Sequence, residues 1–313
     1  MTGLFARLSR LSPHAVGIAL ALTGAMAFSG KAIIVKLSYL HGVDAVTVIM
    51  YRMLFALPFF VAMAWWASRQ PHALANPLSR RDLLAIGGLG LLGYYLASFL
   101  DFLGLQTVTA SLERLIIYLN PTLVMLLSAL MYKHRIHPRR ALAMAISYAG
   151  VLLVFAHEVS FSGAGVVLGS AYVLASALAY AFYLMFSGQM VKRIGALRLV
   201  GLASIVACVC CLLQFVILRP LSDALVQPQV LWLALLNATV CTVAPVVFIM
   251  LAIERIGASL TAQVGMVGPM STITLGVLVL GEPVNMWIVL GTVLVLSGVY
   301  MASQTGEKHG LRH

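Results

Sequence analysis

Charged side chains are scarce in this chain of 313 residues. Asp, Glu, Lys and Arg make up 9% of it, whereas a soluble domain carries about 25%. Hydrophobic residues make up 62%, and the mean hydropathy is +1.01. Water cannot be the solvent for most of such a surface. The composition therefore excludes an ordinary soluble domain and predicts an integral membrane protein.

Other absences narrow the class further. No ten-residue alternation of polar and apolar residues occurs, which argues against a membrane β-barrel. No His-Glu-x-x-His motif and no nucleotide-binding Gly-x-x-x-x-Gly-Lys-Ser/Thr motif occurs, so no metal or cofactor is expected and ATP does not drive this chain. The few cysteines lie inside apolar segments and indicate small buried side chains rather than disulfides or a metal site: Cys208, Cys210, Cys211 and Cys241.

Long apolar runs are what the chain does have. A helix needs about 20 apolar residues to cross a bilayer core, and ten segments approach or exceed that length. The sequence therefore predicts an all-α membrane protein with ten transmembrane helices, of which the fifth and tenth are the shortest. No signal-peptide cleavage is expected, because the first run is longer than a signal h-region. The predicted spans are Ala15–Tyr39, Ala45–Ala67, Leu83–Leu103, Ser111–Tyr132, Pro138–His157, Val166–Met190, Leu199–Leu218, Val230–Ile253, Leu260–Leu280 and Val284–Ala302.

The net charge of +11 comes from basic residues in the short loops between these runs. This distribution predicts membrane lipid rather than nucleic acid as the partner. It also predicts the orientation, since cytoplasmic loops carry the excess of Lys and Arg. With both termini in the cytoplasm of an inner-membrane protein, only Arg219 lies in an outer loop. Fifteen basic residues are then cytoplasmic: Arg7, Arg10, Arg69, Arg80, Arg81, Lys133, Arg135, Arg139, Arg140, Lys192, Arg193, Arg198, Arg255, Lys308 and Arg312.

The chain also repeats itself. Ala110-Ser111-Leu112 recurs as Ala258-Ser259-Leu260, 148 residues later, and Pro121 matches Pro269 at the same offset. Residues 17–27 match residues 169–179 at an offset of 152. We therefore predict a cytoplasmic segment 1–14, a first repeat 15–157, a second repeat 164–303 and a cytoplasmic tail 304–313.

Each predicted repeat holds five helices, and five is odd. The second copy therefore enters the membrane from the opposite side, which makes the repeats an inverted pair. Inverted repeats are typical of secondary transporters, in which one part rocks against the other around a central site.

These residues resemble a known family. The motifs are the Ala-Ser-Leu and proline pattern of helices four and nine, Gly281-Glu282-Pro283, and Leu296-Ser297-Gly298-Val299; Arg52 also fits. They are similar to the paired EamA domains of the drug/metabolite transporter superfamily, over about residues 15–303. The resemblance implies a polytopic inner-membrane transporter, often an exporter of small metabolites. The first copy departs from the pattern, with Tyr132-Lys133-His134-Arg135 where the second has its Gly-Glu-Pro motif.

Ionisable side chains inside membrane spans are costly and are candidates for function by default. Six stand out, all in the first copy: Lys31, Lys36, Arg52, Asp101, Glu113 and Arg114. The short link between helices three and four should bring the two carboxylates together. They either contact substrate or a proton, or form an ion pair with Lys31 or Arg114 that locks a gate. Glu113 also suits the positive end of a helix dipole.

The cations leave further alternatives. Lys36 reaches the interface if it snorkels. Arg52 needs a partner, either one of these carboxylates or an anionic substrate. With four cations against two anions, the set favours a substrate with a carboxylate or phosphate.

The matched prolines predict helix breaks at equivalent depth. A proline frees a backbone carbonyl one turn earlier, which must line a cavity or be satisfied by protein. Pro121 and Pro269 are therefore either walls of the central site or packing kinks, and Asn120 is a candidate polar contact. Tyr95 and Tyr118 are candidate contacts as well, although most aromatic residues at helical spacing only pack.

The sequence thus predicts a secondary transporter of a small polar or amphipathic metabolite, amino-acid-like or another organic solute. Export and proton coupling through Asp101 and Glu113 are part of this hypothesis. A facilitator or channel-like uniporter is the alternative. A membrane-embedded enzyme is disfavoured, because no histidine lies deep in a span and Ser29 and Lys31 are two residues apart on different helix faces. Ten helices suffice to enclose a site in one chain, and the sequence sets no oligomeric state.

Overall fold

The computed structural model of the protein describes residues 13–133 and 136–310. In these ranges, nine helices are long and apolar enough to cross a membrane, and a tenth apolar helix, Met286–Met301, is shorter. Helices are the expected form, because in lipid each segment must satisfy its own backbone N–H and C=O groups. The predicted fold class is confirmed. The predicted cytoplasmic Arg7, Arg10, Arg135 and Arg312 lie outside the described residues.

We number the ten helices in chain order. They are α1 (Pro13–Leu40), α2 (Ala45–Ser68), α3 (Arg80–Leu105), α4 (Ala110–Tyr132), α5 (Pro138–Ser162), α6 (Ala164–Ile194), α7 (Ala196–Leu218), α8 (Pro228–Gly257), α9 (258–280) and α10 (Met286–Gly310). We call the end of the bundle where α1 meets α2 the α1–α2 face.

The fifth helix differs from its predicted bounds. The sequence predicts a short span ending at His157, but α5 has 25 residues and continues to Ser162. In the sequence, Glu158 ends the apolar run. In the structure its carboxylate is bonded to Thr109 inside the bundle, and the helix continues past it. Gly163 alone separates α5 from α6, with a φ of 77° that glycine adopts without strain.

Helices α4 and α9 are both interrupted near mid-span. The break in α4 lies between Ile117 and Asn120, and the break in α9 lies at Met266. Each helix is interrupted just before a proline, Pro121 in α4 and Pro269 in α9. Proline lacks an N–H, and its ring clashes with the carbonyl four residues earlier, so the regular helix breaks there.

A second pair of irregularities was not predicted. Residues Gly90–Leu96 of α3 and Thr239–Val243 of α8 form π-helical turns. The 148-residue offset of the repeats places one turn on the other. Such turns are rare and often occur at functional sites.

The two repeats interleave rather than form separate bundles. The most extensive contacts are α5 with α10, α1 with α8, α2 with α7, α3 with α6, and α1 with α9. Each of these pairs joins one repeat to the other. Helix α1 therefore belongs structurally with the last helices of the chain, and α6 belongs with α3.

The matched glycines explain the closest of these approaches. A Cβ added to Gly150 on α5 would lie 2.7 Å from the carbonyl oxygen of Gly291 on α10. A Cβ added to Gly298 on α10 would lie 2.5 Å from the carbonyl oxygen of Ala143 on α5. Glycine at both positions lets the two backbones meet, as at other small-residue contacts between membrane helices.

Candidate functional site

A lysine joins two carboxylates in the interior. Nζ of Lys31 on α1 lies 2.5 Å from Oδ2 of Asp101 on α3 and 3.3 Å from Oε1 of Glu113 on α4. The three residues are 7%, 2% and 0% exposed, respectively. The sequence predicted that the carboxylates lie close together, and the structure brings them together around one ammonium group. This contact crosses the interleaved halves, because α1 packs against α8 and α9.

Each carboxylate keeps one oxygen without a partner. Oδ1 of Asp101 and Oε2 of Glu113 are buried and have no hydrogen-bond partner among the described residues. A buried polar atom left in this state is costly unless a proton, an ion or a ligand satisfies it. Each of these two oxygens can therefore accept a further hydrogen bond.

Arg114 does not pair with the carboxylates. Its Nε donates to Oγ1 of Thr272 on α9 at 2.8 Å, and its Nη2 donates to Oγ of Ser29 on α1 at 2.9 Å. The guanidinium lies 5.2 Å from the centre of the Phe28 ring. One arginine of the first copy is thus held by two neutral hydroxyl groups from across the interface.

The expectation of a carboxylate partner for Arg52 is not met. Its Nε donates to Oγ1 of Thr242 at 2.9 Å, and its guanidinium lies 5.2 Å from the centre of the Phe102 ring. Within the described ranges, no carboxylate lies within ion-pair distance of Arg52. The reason is geometric, since Lys31 already occupies Asp101 and the π-turn of α8 presents Thr242.

The Tyr118 hydroxyl on α4 satisfies a backbone carbonyl at the break in α9. Pro269 frees the carbonyl of Gly265, and the Tyr118 hydroxyl donates to this oxygen. Ser29 Oγ donates to the carbonyl oxygen of Gly268, directly before Pro269, at 2.9 Å. The sequence proposed Tyr118 as a candidate contact, and the structure places it between the two broken helices.

The residues around the α4 break differ in exposure. Asn120 is buried, and its Oδ1 has no partner among the described residues. Pro269 is buried, whereas Pro121 is exposed. The sequence left the two prolines as walls of a central site or as packing kinks, and the structure gives them unequal environments. Tyr95 lies apart, stacked on Phe99 with ring centres 6.4 Å apart.

Two glutamates missed by the site prediction bind the start of α4. Glu282 accepts from the backbone N–H of Ala110 at 2.7 Å and from that of Ser111 at 3.3 Å. Glu158 accepts from the hydroxyl and the N–H of Thr109. A helix N-terminus carries unpaired N–H groups and partial positive charge, so carboxylates stabilise it. The Gly-Glu-Pro motif drew attention to Glu282, but the sequence did not show that this carboxylate binds the start of α4.

The last charge of the six, Lys36, lies beside this helix start. Its Nζ donates to the carbonyl of Val108 at 2.7 Å, and the side chain is half-buried. The structure thus places this ammonium group at the loop that leads from α3 into α4.

These contacts close one face of the bundle. Both halves of α4 pack against α6 and α10, but only the first half, Ala110–Ile117, also has extensive contacts with α1, α5 and α9 among the described residues. The bonds of Lys31, Arg114, Tyr118 and Glu282 all lie between the α4 break and the α1–α2 face. Buried side-chain contacts therefore close this half of the bundle.

Comparison with known proteins now gives the family. A model of the EamA-like transporter family matches residues 15–156 and 167–304. The chain belongs to this family. The family model matches the chain twice, and membership of the family makes the protein a multi-pass membrane transporter.

Relatives of similar length are named as transporters. The chain is 29% identical over 314 aligned residues to the uncharacterized transporter YcbK of Bacillus subtilis, covering 96% of this chain and 98% of the relative. It is 23% identical to an uncharacterized transporter of Archaeoglobus fulgidus, covering 93% and 97%. A solved crystal structure with 15% identity superposes with a TM-score of 0.62 over 96% of this chain and all of its own, which shows the shared fold.

Proposed function

We propose that this EamA protein is a secondary transporter that exports a small polar or amphipathic organic solute across the inner, or plasma, membrane by alternating access. The observation that carries the proposal is the Lys31–Asp101–Glu113 contact. It joins α1, which packs with the second repeat, to α3 and α4. Breaking and remaking this contact changes which face of the bundle is sealed.

Proton coupling is part of the proposal. One ammonium group neutralises one of two buried carboxylates, and each carboxylate keeps an unsatisfied oxygen. A proton on Asp101 or Glu113 neutralises the remaining charge and supplies the missing donor. It also weakens the hold on Lys31, which ties proton binding to opening.

The test uses Asp101→Asn and Glu113→Gln in proteoliposomes, with a solute identified by thermal-shift screening. We expect at least one variant to lose the dependence of transport on the pH gradient. Asp223→Asn is the matched control, because Asp223 is exposed in the loop between α7 and α8. If both variants keep the dependence, these carboxylates are not the coupling site.

Counterflow distinguishes a carrier from a channel-like facilitator. Solute placed on the far side should accelerate exchange by the wild-type protein, because a carrier returns faster when loaded. Unchanged exchange would replace alternating access with the facilitator alternative.

A further inference from the structure

The interior holds more positive than negative charge. We call Lys31, Arg52, Asp101, Glu113 and Arg114 the charge cluster; it contains three cations and two carboxylates. Lys31 is shared by the carboxylates, and both arginines are bonded to neutral hydroxyl groups. Uncompensated charge in a membrane interior is costly, so the cluster favours the entry of one anion.

The neighbouring glutamates do not cancel this excess. Glu158 and Glu282 bind backbone N–H groups at the start of α4, and Lys36 lies next to them. Their charge is thus balanced locally by the helix N-terminus and by one lysine.

Arg114 is the cation best placed to receive a ligand. It lies one helical turn from Tyr118, just before the break in α4. Its Nε and Nη2 are oriented by Thr272 and Ser29, whereas its Nη1 donates to no described residue. A planar guanidinium held in this way suits a carboxylate, which accepts two parallel N–H bonds.

Arg52 adds a second attraction. Its Nη1 is buried and has no hydrogen-bond partner among the described residues. Its bond to Thr242 ties this guanidinium to the π-turn of α8. The half-buried ring of Phe28 borders Lys31 and Arg114 and is apolar surface for the rest of a ligand. The fully buried ring of Phe102 packs against Arg52.

We propose that the charge cluster is the binding site for the carboxylate of a small organic monoanion, with Arg114 as its receptor. The inference rests on the proposed transport function and specifies the solute class. A single negative charge matches the single excess cation, and an apolar or aromatic skeleton matches the Phe28 ring.

The first experiment measures the thermal unfolding of the protein in nanodiscs with two matched probe sets. One set is butanoate, butanamide and butylamine, and the other is benzoate, benzamide and benzylamine. Members of a set share a carbon skeleton and differ in the polar group. We expect a saturable rise in unfolding temperature with at least one carboxylate and none with its amide or amine. A wild-type protein unaffected by both carboxylates overturns the proposal.

Variants locate the effect. Arg114→Gln should weaken the apparent affinity about ten-fold or more, because charge-assisted bonds to the carboxylate are lost. Arg255→Gln is the control, since Arg255 is exposed and donates to the Leu251 carbonyl of its own helix. If Arg114→Gln does not fold, Thr272→Val keeps the charge and removes the bond to Nε, and should weaken binding several-fold. A carboxylate effect that survives these changes overturns the assignment.

Counterflow of the bound carboxylate in proteoliposomes separates the two proposals. Binding that depends on Arg114 without exchange refutes transport but keeps the site. Exchange of an amide or amine that is indifferent to Arg114 keeps transport and refutes the anion class.

Discussion

The hydroxyl of Tyr118 takes the place of a backbone donor that Pro269 lacks. Tyr118→Phe should therefore leave the Gly265 carbonyl unsatisfied and destabilise the protein by about 1–3 kcal/mol. Thermal unfolding of the purified protein measures the loss. Tyr172→Phe, at a half-buried tyrosine of α6, is the control.

A double-mutant cycle gives the stricter form of this prediction. Pro269→Ala restores an N–H for the Gly265 carbonyl, so Tyr118→Phe should cost less in that background. Equal costs in the two backgrounds would show that the hydroxyl does not serve the break.

Asp44 joins the repeats outside the membrane spans. It precedes α2, and its Oδ2 accepts from Nη2 of Arg219 at 2.7 Å. Partial burial alone would raise the pKa of Asp44, but bonds from Thr47, Arg219 and the Val46 N–H outweigh it and lower the pKa. The stabilisation is therefore complete above the ordinary aspartate pKa of about 4 and is lost as the pH falls through the lowered value.

The corresponding variant is Asp44→Asn. Wild-type unfolding temperature should fall more steeply than that of the variant as the pH is lowered below about 5. The pair is partly exposed, so the difference at neutral pH should be roughly 0.2–1 kcal/mol. Asp223→Asn should keep the wild-type slope, and parallel pH profiles for wild type and Asp44→Asn would contradict the assignment.

At the scale of elements, α4 depends on a carboxylate from the end of α9. Glu282→Gln keeps the shape but removes the charge that the N–H groups of Ala110 and Ser111 bind. Loss of such a cap costs about 0.5–2 kcal/mol, so the start of α4 should open more often. Hydrogen exchange of the peptide covering this turn measures the opening, and Glu254→Gln, at an exposed site, is the control. Unchanged exchange in Glu282→Gln would contradict this role.

The elements also show what the sequence can and cannot predict. Apolar length predicted the spans, and Pro121 and Pro269 predicted the breaks, because both signals are local. The π-turns have no such signal. For Arg52 the sequence left a carboxylate or an anionic substrate as partner. Its bond to Thr242 was not foreseen, because it depends on the π-turn of α8, which only tertiary packing shows. The contact of Glu282 with α4 crosses some 170 residues of chain, and no local pattern records it.

At the scale of the whole molecule, the sealed α1–α2 face predicts one-sided access. With this face outside, a cysteine at position 120 in a background without native cysteines should react with an impermeant maleimide only in inside-out vesicles. Leu225→Cys, at a residue 89% exposed between α7 and α8, should react in whole cells. Labelling of Leu225→Cys only in inside-out vesicles would reverse the predicted orientation. Labelling of Asn120→Cys from outside alone would show that the opposite face is the sealed one.

The interleaving of the repeats has a consequence for synthesis of the chain. Helix α1 leaves the ribosome first, but its partners α8 and α9 are among the last to emerge. The chain between Leu40 and Pro228 takes roughly 10–40 s to translate at 5–20 residues per second. During that time α1 lies in the bilayer, with Lys31 beside lipid until Asp101 and Glu113 arrive. The first half of the protein is therefore a partly assembled intermediate in the membrane. A nascent chain that stops after α5 contains α1, which carries Lys31, without its packing partners α8 and α9.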